Sequence, residues 1–146
     1  ATLADAQRAA GDIDGAVRSV VYGLQHAEET KELYFAPELW RLKGDLALAA
    51  HPQEAETAYL EAIRLARSIG ARSWELRAAI SLAGLWRESR PQQATTQLQE
   101  VFNRFSEGFE SIDLQRAAQL LAQLQTSALG QLTRVVHQGE QAVRRG

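Results

Sequence analysis

Apolar side chains recur along this chain at intervals of three and four residues. Ala55, Ala58, Tyr59, Ala62, Ile63 and Ala66 mark one such stripe. That spacing is one face of a helix with 3.6 residues per turn, and an apolar face of this kind has to be buried against another element. No run alternates with the two-residue period of a half-buried strand. The pattern predicts an all-α fold with helical segments over roughly 2–10, 13–28, 37–50, 52–68, 72–88, 91–105, 112–126 and 129–144. Turn residues separate them: Gly11-Asp12-Ile13-Asp14-Gly15, His51-Pro52-Gln53-Glu54 and Ser89-Arg90-Pro91-Gln92. Pro37, Pro52 and Pro91 suit the first turn of a helix, where the missing amide would have no partner. Gly70 suits the left-handed position that closes one.

The stripes repeat. An offset of 39 residues aligns Ala16, Ala55 and Ala94; Val20, Tyr59 and Leu98; Gly23, Ala62 and Val101; and Leu24, Ile63 and Phe102. The same offset aligns Gly44, Ala83 and Ala122, and Leu46, Leu85 and Leu124, which fall on a different segment of each unit. The repeat is therefore a pair of helices, with small residues where the partners approach closely and larger ones filling the groove between pairs. Three to four such units fit the 146 residues. Residues 1–125 read as the repeat domain and 126–146 as a capping helix or flexible tail, because only Leu132, Val135, Val136 and Val143 anchor the last segment. The first segment is short, as expected of a piece cut from a longer chain.

Composition agrees with helix and narrows the function. Ala, Leu, Gln, Glu and Arg dominate, and all favour helices. A net charge of −2, with acidic and basic residues interleaved, gives no stripe for a phosphate backbone, so neither nucleic acid nor a membrane is expected as a partner. The absence of cysteine rules out disulfides and thiolate zinc sites and fits a reducing, cytoplasmic setting.

Trp40, Gly44, Ala55, Tyr59 and Ala62 resemble the tetratricopeptide signature. The period of 39 exceeds the usual 34 of that repeat, with longer links at Glu28–Ala36 and Ile69–Trp74. More specifically, Pro37-Glu38-Leu39-Trp40-Arg41-Leu42-Lys43-Gly44, Ala71-Arg72-Ser73-Trp74-Glu75-Leu76-Arg77-Ala78-Ala79, Ser81-Leu82-Ala83 with Leu85-Trp86, and Ser106-Glu107-Gly108-Phe109-Glu110 resemble the C-terminal repeat region of bacterial multidomain signalling proteins. Those proteins join a class III adenylate cyclase or a winged-helix regulator to a predicted NTPase. The resemblance covers residues 33–124 and departs at Ser89-Arg90-Pro91, where the family has a glycine-containing turn. It implies a right-handed α-solenoid of stacked antiparallel helix pairs, serving as a regulatory or scaffolding segment of a larger polypeptide.

Chemistry is sparse. There is no Gly-rich phosphate loop followed by Lys and Ser or Thr, so no cofactor is expected and the cyclase and NTPase activities do not transfer. His26, His51 and His137 lie far apart without ligand spacing, and no nucleophile–base–acid set is visible. The expected protein is not an enzyme and holds no metal. Trp40 and Trp86 fall on core positions, whereas Trp74, at a helix start, is expected to be partly exposed. By the resemblance, the first helix of each pair lines an inner groove, which selects Glu38, Arg41, Asp45, Arg77, Arg87 and Arg116 as a candidate peptide groove. Arg77 and Arg116 are its bidentate donors to carboxylates. The expected function is a non-catalytic protein–protein interaction module that takes a peptide or a neighbouring domain of the same polypeptide. The alternatives are self-association as a homo-oligomer and a small-ligand or nucleotide-binding domain.

Overall fold

A computed structural model describes residues 3–145. Seven α-helices follow one another: α1 Leu3–Ala9, α2 Ile13–Thr30, α3 Ala36–Ala47, α4 Pro52–Ser68, α5 Arg72–Trp86, α6 Pro91–Phe102 and α7 Ile112–Arg145, with a 3-10 turn at Leu33–Phe35 before α3. Of the described residues 82% are helical, and no strand occurs among them. Each helix packs on the next, and α5 also touches both α3 and α7, so the odd-numbered helices from α3 onward form one row. No helix among the described residues is long and apolar enough to cross a membrane.

The local signals act where the sequence places them. Pro52 and Pro91 open α4 and α6, and Pro37 is the second residue of α3. Asp12 caps α2 by accepting a hydrogen bond from the Gly15 amide at 2.8 Å. Gly70 closes α4 with φ +68°, the left-handed conformation that glycine adopts without steric cost.

Two sets of residues equivalent under the 39-residue offset share a burial state. Ala16, Ala55 and Ala94 are fully buried, as are Val20, Tyr59 and Leu98. Small residues let the paired helices meet: Gly44 of α3 lies under the Tyr59 ring of α4. The third member of that small set behaves differently, because Ala122 of α7 is exposed where Gly44 and Ala83 are buried.

The reason is a correction to the expected helix map. The separate segment over 129–144 does not form, and α7 runs unbroken for 34 residues. One offset beyond Pro52 and Pro91 stands Gly130, which costs a helix about 1 kcal/mol but does not remove an obligatory hydrogen bond. One offset beyond Ala94 and Leu98 stand Thr133 and His137, with Glu140 and Gln141 following where Val101 and Phe102 would recur. In the 39-residue register, a helix folded back there would press these polar groups into the core, whereas α7 runs straight. Leu114, Ala117, Leu121 and Leu124 bury one face of α7, and from Gln125 onward only Ala128 is even partly covered. The arm beyond Leu124 extends about 30 Å at 1.5 Å per residue.

Candidate interaction groove

The odd-numbered helices present one face to an open groove of about 540 Å³. Asp5 and Arg8 enter it from α1, Glu38 and Arg41 from α3, and Arg77 and Ser81 from α5. Ile112, Asp113 and Arg116 close its α7 side. Glu38, Arg77 and Arg116 stand 39 residues apart, and they form a ladder across α3, α5 and α7.

Most of the charge is neutralised internally. Arg41 donates from Nε and Nη2 to the two Glu38 carboxylate oxygens, both at 2.8 Å, and from Nη1 to Asp45 Oδ2 at 2.7 Å. The other Asp45 oxygen accepts from the Tyr59 hydroxyl at 2.8 Å, and Arg8 reaches Oδ2 at 3.4 Å. Arg77 Nε donates to Asp113 Oδ2 at 2.8 Å, while its Nη1 stands 3.5 Å from Glu38 Oε1. The result is a line of alternating charges running from α4 through α3 and α5 to α7.

The environment fixes these protonation states. Burial opposes the charge on Arg41, but the hydrogen bonds and fields of Glu38 and Asp45 outweigh it and hold the guanidinium protonated more firmly than usual. The Asp113 hydrogen bond likewise raises Arg77. Burial pushes the Tyr59 phenol up, and the neighbouring Asp45 charge adds to the shift.

Of the six residues the sequence selects, Glu38, Arg41, Arg77 and Arg116 line the groove together. Asp45 sits behind it as the shared acceptor of Arg41 and Tyr59. Arg87 is the C-cap of α5 and lies off the groove. The proposed pair of carboxylate donors divides: Arg77 is committed to Asp113 and Glu38, whereas Arg116 forms no ion pair among the described residues. Asp113 was missed, although its place three residues before Arg116 on the opening turn of a helix puts the two on one face.

Beyond Arg77 the groove meets an aromatic rim. The Arg77 guanidinium lies 5.1 Å from the Trp74 ring centre, and Trp74 takes Tyr34 and Phe35 edge-on at 6.4 and 6.2 Å. Tyr34 and Phe35 are more than half exposed, and Trp74 is half-buried, in line with the partial exposure expected of it. Trp40 and Trp86 pack against the main core. The three histidines gather no metal site, and no group of three or more potential ligands occurs among the described residues. Comparison with protein-family models, curated proteins and solved structures yields no match.

Proposed function

We propose that this chain is a non-catalytic protein-interaction module, a right-handed tetratricopeptide-like solenoid whose odd-numbered helices hold an extended peptide. The observation that carries this reading is Arg116, a groove arginine without an ion pair among the described residues, beside Ile112, which is 67% exposed. A guanidinium next to an uncovered aliphatic side chain suits a peptide that offers a carboxylate flanked by an apolar residue. The Tyr34–Phe35–Trp74 rim adds apolar contact area, and such rigid aromatic anchors supply much of the energy in peptide recognition. In a larger signalling polypeptide the same groove would take a segment of a neighbouring domain, which places the module as a cytoplasmic regulatory scaffold.

The test is fluorescence anisotropy with a panel of labelled extended peptides, each carrying one Asp or Glu next to a Leu, Ile or Phe. Binding should weaken at least tenfold in Arg116→Glu and by less in Arg116→Lys, which keeps the charge but loses the planar fork. Peptides that bind Arg116→Glu and the parent chain equally would remove the groove reading, as would a panel in which none binds.

A further inference from the structure

We infer that the α7 arm is an association element which docks on the outer face of α2 in a second copy of this chain. Two apolar surfaces on opposite ends of the helix order lack partners, and each departs from what the repeat places elsewhere.

The first is on α2. Ile13, Val17, Val21 and Tyr22 are 46, 42, 42 and 70% exposed. Their equivalents are Pro52, Glu56, Leu60 and Glu61 on α4, then Pro91, Thr95, Gln99 and Glu100 on α6. The same outward positions are thus mainly polar on the sister helices, with Leu60 the exposed exception, and form an all-apolar set only on α2. At 100° per residue, Ile13, Val17 and Val21 form one continuous strip.

The second is the arm. Leu129, Leu132, Val135, Val136 and Val143 are all at least 59% exposed. With Ala128 they fall within one side of the helix, continuing the face that Leu114, Ala117, Leu121 and Leu124 bury against the core. An isolated helix of this length is marginal in water, and a partner would stabilise it.

Charge and length select the partner. The arm from Gln125 to Arg145 holds Arg134, Arg144 and Arg145 against Glu140, so two arms side by side would repel. Helix α2 holds Asp14, Glu28 and Glu29 against Arg18, and Asp14 and Glu28 border its strip. The basic arm therefore complements α2 and not itself. The 18 residues of α2 span about 27 Å and the arm about 31 Å, so one can cover the other. The contact is head-to-tail, a geometry that leaves each copy one arm and one strip to offer. It is independent of the groove.

Light scattering after size exclusion, over a concentration series of the full chain, tests this. The mass should rise with concentration from 16.1 kDa to at least twice that value. Leu132→Glu with Val135→Glu on the arm should give a monomer, and so should Val17→Glu with Val21→Glu on α2, a change that copies the Glu56 of the sister helix. Mixing the two monomeric variants should restore a 1:1 complex, because one supplies an intact arm and the other an intact α2. As the chain has no cysteine, Val17→Cys and Val136→Cys in separate copies should form a mixed disulfide. A strict monomer throughout, or α2 variants that associate like the parent chain, would overturn the inference. Arm-to-arm pairing would appear as the latter outcome. Circular dichroism showing unchanged helix content separates loss of association from loss of fold.

Discussion

Gly44 and Tyr59 meet so closely that a Cβ on Gly44 would stand 2.7 Å from Tyr59 Cδ1. Tyr59 is 1% exposed and its hydroxyl is held by Asp45, so the ring cannot swing aside without breaking that bond. Two effects oppose one another in Gly44→Ala. Helix propensity favours alanine by about 1 kcal/mol, while overpacking a tight contact costs about 1–3 kcal/mol. The clash is against a buried ring, so the substitution should destabilise. Gly84, inside α5 with no atom within 4 Å of a Cβ, is the control: Gly84→Ala should stabilise by about 0.5–1 kcal/mol. Urea unfolding of the two variants should give shifts of opposite sign, and the same sign in both would refute the close-approach argument.

Tyr59 also makes an alkaline limit. Its folded pKa lies above the ordinary phenol value because burial disfavours the phenolate and Asp45 repels it. The unfolded chain releases that proton near pH ~10, before the folded protein does. The contribution is therefore complete below pH ~10 and is lost as the pH rises through the folded pKa, at up to about 1.4 kcal/mol per pH unit. Tyr59→Phe should be less stable than the parent at pH 7 by about 1–2 kcal/mol, through the lost hydrogen bond to a carboxylate. The two stability curves should converge above pH 10. Parallel curves from pH 7 to 11 would contradict the assignment.

Glu75 ties three parts of the chain together. Its side chain is 5% exposed and accepts from Arg67 at the end of α4 and from Arg104 in the turn after α6. Both arginines are about half exposed and can rehydrate, whereas the carboxylate cannot. Glu75→Gln should cost about 1–3 kcal/mol in denaturant unfolding. Arg67→Gln should cost less, since Arg104 remains to pair the buried charge. Equal losses in the two variants would argue against a shared acceptor.

The α7 arm should stand apart in amide hydrogen exchange. Measured at a concentration where the chain is monomeric, amides from 115 to 124 should be strongly protected, and those beyond 126 should exchange orders of magnitude faster, because no side chain there is buried to stabilise the helix. Raising the concentration into the associated range should restore protection to the arm. Uniform protection along α7 in the monomer would mean that the helix is held by something other than packing.

The sequence by itself determined the helical class of the fold and the course of α2 to α6. Apolar spacing, three prolines, Gly70 and the 39-residue offset are local signals, and each acts through the backbone or through one helix face. They placed α2 to α6 within a few residues and identified Ala16, Ala55, Tyr59, Ala94 and Leu98 as buried. The offset also put Glu38, Arg77 and Arg116 on equivalent positions, which is why most of the groove was legible. Arg41 is saturated by Glu38 and Asp45 of its own helix, three residues before and four after it, a spacing already present in the sequence. Only the tertiary structure decided that Arg77 is spent on Asp113, because α7 packs beside α5 and brings that carboxylate to 2.8 Å. Among the described residues, Arg116 is the groove arginine that has no ion pair. It also decided the fate of 129–144, whose apolar residues suit a helix in either arrangement. Whether that helix folds back depends on what it would press into the core, and with Thr133, His137, Glu140 and Gln141 on that side, a straight α7 avoids burying polar groups without partners.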